Sequence, residues 1–168
     1  MNNTVGDGDF GALRLRETWS GAGGLIKKGA GVATLTGGGK NFAGAGGVEQ
    51  GVLAVTQPSA MGNAASGAVQ DGGQLRLASA NDAGGARVYT FGGTLSLAGG
   101  GRSGVGEGEG LGVSGALRYE PGSFGNEAVI TSAVHVSAAA IVHAAGDNVL
   151  RLDGAFTGSG DLAKSGGG

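Results

Sequence analysis

The chain has 168 residues, of which 41 are glycine and 2 proline, with no cysteine, 14% charged residues and a formal net charge of −2. Glycine at that level leans toward low complexity, but a 40% hydrophobic share with so little charge is the reverse of the disordered signature. The near-neutral balance excludes the basic footprint of a nucleic-acid binder. The missing cysteines exclude disulfides, thiolate zinc sites and thiol nucleophiles, and no run approaches the roughly 20 apolar residues of a membrane-spanning helix.

The polar opening MNNTVGDGDF does not have the charge and apolar pattern of a secretory leader. The first alternating stretch is GALRL at 11–15, followed by a long glycine-rich run from 21 to 42 that encloses LIKK and VATLT. Next come GVLAV at 51–55, GQLRL at 73–77, GTLSL at 93–97, GALRY at 115–119, AVHVS at 133–137 and NVLRL at 148–152. Each alternates apolar and other residues with period two, the pattern of a half-buried strand. Glycine interrupts every window long enough for a helix, and each interior glycine would cost a helix about 1 kcal/mol.

The phrase Gly-x-Leu-x-apolar recurs with leucines at 13, 35, 53, 75, 95 and 117. Spacing of this kind is the mark of a solenoid. Some 20 residues hold two or three short strands joined by glycine-bearing corners, which predicts a parallel β-helix (all-β) with about 20–22 residues per coil and about six or seven coils at roughly 4.8 Å each. Glycine supplies the φ > 0 positions that sharp corners need. An antiparallel sandwich with Asp-Gly hairpins at 7, 71 and 153 is the competing architecture, and it does not explain why one phrase returns at this interval.

A longer repeat lies over the short one. Shifted by 137 residues, LRLRETWSGAGGLIKKGAG (13–31) falls on LRLDGAFTGSGDLAKSGGG (150–168) without a gap, matching at Leu13, Arg14, Leu15, Gly21, Gly23, Leu25, Lys27, Gly29 and Gly31. Trp19 falls on Phe156 and Ser20 on Thr157. The chain is therefore expected to be a single β-helix fragment over 1–168, one long module followed by the opening of the next.

Gly21, Gly23, Leu25, Lys27, Gly29 and Gly31, then VATLTG, the Asn41-Phe42 pair, GAGG, the GVLAV strand with Gly51 and Leu53, and the continuation through Gly62 and Asn63 resemble the passenger-associated repeat of bacterial autotransporters. One copy spans 21–65. A second, carrying Gly158, Gly160, Leu162 and Lys164, begins at 158 and runs to 168, while 68–148 keeps the strand rhythm without a nameable motif. The resemblance implies a right-handed β-helical stalk in a passenger exported through the periplasm and outer membrane by type V secretion. It also implies a role in secretion-coupled folding and surface display, with adhesion or self-association as the outcome. The implied partners are neighbouring coils of the parent chain, a further copy stacked head to tail, or a ligand on a host or bacterial surface. No nucleic acid, membrane insertion, metal or cofactor is expected of this segment.

Catalytic constellations are sparse. GDGDFG (6–11) and GGGRSG (99–104) fit Gly-x-Gly-x-x-Gly, but no helical pattern follows either. The only histidines, His135 and His143, read as surface imidazoles. Glu107 and Glu109 in GVGEGEG would lie on one side of an extended chain, and paired carboxylates can cleave glycosides or hold calcium. A polysaccharide-binding or polysaccharide-degrading β-helix is accordingly the alternative to a non-enzymatic stalk, although a solvated acidic loop is the plainer reading of that pair. Lys27, Lys28 and Lys164 read as solvated charges that discourage unwanted edge pairing.

Overall fold

The computed structural model describes residues 12–61, 66–79, 85–102, 115–123 and 125–168. It is a parallel β-solenoid of about six turns. The first coil comprises β1 (Ala12–Leu15), β2 (Ser20–Gly21) and β3 (Leu25–Lys27), and the second β4 (Val32–Leu35), β5 (Asn41–Phe42) and β6 (Gly46–Val48). The third runs through β7 (Gly51–Val55), a 3-10 turn at Pro58–Met61 and β8 (Gly67–Val69). The fourth holds β9 (Gly73–Leu77), β10 (Arg87–Tyr89) and β11 (Leu95–Gly99), the fifth β12 (Leu117–Tyr119), β13 (Glu127–Ile130) and the first part of β14 (Val134–Ala144). The rest of β14, β15 (Val149–Leu152) and β16 (Phe156–Gly158) make the sixth, and β17 (Leu162–Ser165) opens another.

Stacking creates three faces. The first is β1-β4-β7-β9-β12, the later part of β14, and β17. The second holds the β2-β5 and β10-β13-β15 ladders. The third is β3-β6-β8-β11, the early part of β14, and β16. Among the described residues all paired strands run parallel, so the Asp-Gly pairs at 71 and 153 are corners between faces, not hairpin turns; the pair at 7 lies outside the described residues.

Period-two alternation sets which side chains enter. On the first face Leu13, Ala33, Leu53, Leu75, Leu117 and Val142 form one inward column, and Leu35, Val55, Leu77 and Tyr119 belong to another. From the second coil to the fifth these are buried almost completely. A parallel strand covered on its inner face by like side chains from the coils above and below needs no large wedges, so aliphatic residues suffice.

Gly51 shows why a corner excludes a side chain. Its φ is +76°, and a Cβ would sit 2.4 Å from the Gly29 carbonyl oxygen and 2.5 Å from that of Gly31. Both the left-handed backbone and the approach of the preceding coil demand glycine.

Two expectations about the rhythm need correction. Leu95 does not continue the column of Leu75: it lies on the third face, between Gly67 and Val134, while Leu75 pairs directly with Leu117. The coil length of 20–22 residues holds at both ends but not in the middle, where partners such as Thr90 and Thr131 are 41 residues apart. The fourth coil carries extra chain between its strands, so a Gly-x-Leu phrase marks a strand following a corner without saying which face it occupies.

Candidate functional site: corner clamps and polar ladders

The twin motif reproduces its local geometry. Gly21 and Gly158 both have positive φ (+153° and +116°), as do their counterparts Gly29 and Gly166 (+74° and +85°). Lys27 and Lys164 each donate from Nζ to the carbonyl two residues on, Gly29 and Gly166 respectively, the latter at 2.7 Å. The two copies do not sit on equivalent faces. Residues 12–15, 20–21 and 25–27 occupy the first, second and third faces, whereas 149–152, 156–158 and 162–165 occupy the second, third and first. The sequence repeat thus advances one face around the axis.

Lys28 and Lys164 are exposed, as expected of solvated charges, but Lys27 is drawn inward. Lys27 stacks on Val48 in an inward register position, and its ammonium also donates to the carbonyls of Lys28 at 2.9 Å and Gln50 at 3.1 Å. It therefore binds its own corner to the corner of the next coil. Burial, and then the charge of Arg102, hold its pKa below the ordinary lysine value. Lys40, almost fully buried, closes a corner within its own coil, donating to Thr36 O at 2.6 Å and Gly37 O at 3.2 Å. Lys28 points outward to Glu49 at 3.1 Å, an exposed ion pair worth little.

The other described motif positions lie within the stack. Asn41 pairs with Ser20, its N–H donating to Trp19 O at 2.6 Å, and Phe42 is buried. Leu25 is half-buried opposite Gly46, Leu53 is deep in the core, and Leu162 is 43% exposed opposite Ala140. The carbonyls of Gly23 and Gly31 accept the N–H groups of Gly44 and Val52 in the following coil, and Gly160 N–H donates to Val136 O. At Gly160 a Cβ would lie 2.3 Å from the carbonyl oxygen of Ala138. Gly62 and Asn63, like Glu107 and Glu109, lie outside the described residues.

Sequence reasoning missed a second set of buried polar rungs. Asn148 Oδ1 accepts the Asn126 N–H at 2.9 Å while its Nδ2 donates to Ala145 O at 2.7 Å. Ser132 Oγ accepts the Phe91 N–H at 2.6 Å and donates to Phe91 O at 3.0 Å. Buried backbone groups at corners have no ladder partner of their own, and these side chains supply one. A cue for the asparagines exists in GNEAVI and DNVLRL, two Asn-led strands 22 residues apart.

The histidines lie on outward positions, but only His135 is at the surface. His143 is 6% exposed, contrary to the expected surface imidazole. It stands between Arg118 and Ser165 in the outward column of the first face. Each ring bonds through Nδ1 to a hydroxyl one coil on, His135 to Thr157 and His143 to Ser165, both at 3.0 Å. Both rings thus form rungs between successive coils, and among the described residues no carboxylate is hydrogen-bonded to either. Burial, followed by the charge of Arg118, keeps His143 below the usual histidine range. Nearby, Glu120 Oε2 lies 2.7 Å from Arg118 Nη2 and 3.4 Å from Arg76 Nε.

Among the described residues no group of three or more histidine, aspartate and glutamate side chains converges as a metal site, and no helix is long and apolar enough to cross a membrane. Protein families, curated proteins and solved structures were compared with the chain, and none matches.

Proposed function

We propose that this chain is a β-helical stalk segment of a secreted or surface-displayed autotransporter passenger, acting without catalysis in secretion-coupled folding and display. The observation that carries the reading is the twin motif. Residues matched at an offset of 137 adopt the same positive-φ corners and the same lysine-to-carbonyl clamp at two places on the solenoid. A motif that rebuilds one corner wherever it falls suits a long stalk assembled from successive modules, with stability passed between neighbouring coils.

Self-association or adhesion follows as the use of such a stalk. Leu13 and Ile26 in the first described coil, Phe156 in the sixth and Leu162 in the strand that opens the next stand 43–46% exposed, an apolar complement for further coils or another copy. The outward columns, such as Arg14, Thr34, Ala54 and Arg76 on the first face, are the faces available to a surface ligand.

Placing residues 1–168 between an export leader and an outer-membrane barrel translocator tests the proposal. Protease added to intact cells is expected to reach the segment, and the Leu75→Asp variant, which breaks the stack, is expected to lower its surface yield. A wild-type segment retained inside the cell, or a variant displayed as well as wild type, would overturn it.

A further inference from the structure

We infer that the coil boundary between β14 and β17 is an acid-sensitive rung, in which protonation of the buried His143 loosens the strand that carries Ser165. The imidazole occupies a slot shaped by two glycines. A Cβ on Gly115 would come within 3.1 Å of the His143 Cβ, and one on Gly166 within 2.8 Å of its Cε1. The ring fills the space that these glycines leave, between Arg118 on β12 and Ser165 on β17.

Among the described residues the charges acting on that slot are mostly positive. From β12 come Arg118 and the following Glu120, and from β17 comes Lys164, whose ammonium donates to Gly166 O. Among the described residues Glu120 is the one carboxylate of these groups, and it is already paired with Arg118 at 2.7 Å. An imidazolium formed here adds a cation beside Arg118 and Lys164 with almost no access to water. The Nδ1 contact to Ser165 survives protonation because the hydroxyl can accept as well as donate, so the damage comes from burying the charge. His135 bonds Thr157 in the same way on the third face, without Arg118 beside it, and serves as the internal control.

The folded state holds the imidazole below its ordinary value, so the boundary is at full strength above the unfolded pKa of about 6.5 and weakens as pH falls through the folded one. This places the device in the mildly acidic range. It rests on no assumption about the role proposed above, since any solenoid with this rung would share it.

Amide hydrogen exchange of residues 162–166, corrected for intrinsic rates, tests the inference between pH 7 and pH 5 in wild type, His143→Gln and His135→Gln. In wild type, protection at β17 is expected to fall by about tenfold for each pH unit separating the free and folded pKa values. His143→Gln should show no such fall and His135→Gln should behave as wild type. Equal protection of wild-type β17 at both pH values, or a fall that persists in His143→Gln, would refute the rung. Should the glutamine variant not fold, NMR titration of the wild-type ring decides: His143 must titrate below about 6.5, with β17 amide shifts following the same curve. Titration at or above that value refutes it.

Discussion

Replacing Leu75 by aspartate should unfold several coils together. Leu75 is 2% exposed and lies in register between Leu53 and Leu117, themselves 1% and 0% exposed. Truncating a leucine so enclosed costs about 2–5 kcal/mol in lost burial and residual cavity. A carboxylate in its place adds a desolvation penalty of several kcal/mol, because the apolar column offers no cation to offset it. The total, above about 5 kcal/mol, rivals the whole stability of a typical domain. In a quasi-one-dimensional stack the loss is shared with the coils on either side. Urea titration followed by far-UV circular dichroism and by fluorescence of Trp19, the single tryptophan, reads both the stack and its first coil. Both midpoints are expected to collapse together in Leu75→Asp. Leu13→Asp, in the same column but with its side chain 45% exposed, is expected to shift them by much less. A wild-type midpoint in Leu75→Asp would refute the stacked-core reasoning.

Other outcomes follow from the corners and the buried phenols. Lys27→Met leaves the carbonyls of Lys28, Gly29 and Gln50 without their shared donor and is expected to cost about 1–3 kcal/mol in chemical denaturation, while Lys164→Met, which loses a single carbonyl contact, costs less. Asn148→Ala removes the acceptor of the buried Asn126 N–H and should destabilise by about 1–3 kcal/mol, measured the same way. Burial raises both tyrosines, with Tyr119 pushed up to about 12 and Tyr89 also above its usual value. The unfolded phenols ionise near 10, so their contribution is complete below that pH and is lost as pH rises toward 12. Absorbance at the tyrosinate band should stay flat through pH 10 and then rise with unfolding; a normal titration of either tyrosine near pH 10 in the folded protein contradicts the burial.

How much was legible in the sequence varies with the kind of contact. The alternation in VATLT, VLAVT and QLRLA specifies strands with one face buried, and the inward placement of Leu35, Leu53 and Leu75 follows from it. Corners were legible because positive φ is nearly confined to glycine. The face of each strand was not, since the same phrase can follow any of the three corners; Leu95 and the rotated twin motif both show this. The lysine clamps were hidden for a related reason. A lysine two residues before a glycine is visible in the sequence, but the carbonyl of Gln50 joins the cluster only once the next coil is laid down. His143 obeys the alternation, pointing away from the core as His135 does, yet its burial depends on Gly115, Arg118 and Gly166, which lie in or beside other strands. Its environment is a property of the stack.

The most direct measurement uses the absence of cysteine. Paired cysteines placed at Ala68 and Ser96, register neighbours on the third face, should form a disulfide rapidly on mild oxidation, because the roughly 4.8 Å between neighbouring strands lies within the Cα range a disulfide spans. Paired cysteines at Arg76 and Ser96, one leucine interval apart but on different faces, should stay reduced under the same conditions. Cross-linking of the second pair and not the first would contradict three-faced parallel stacking.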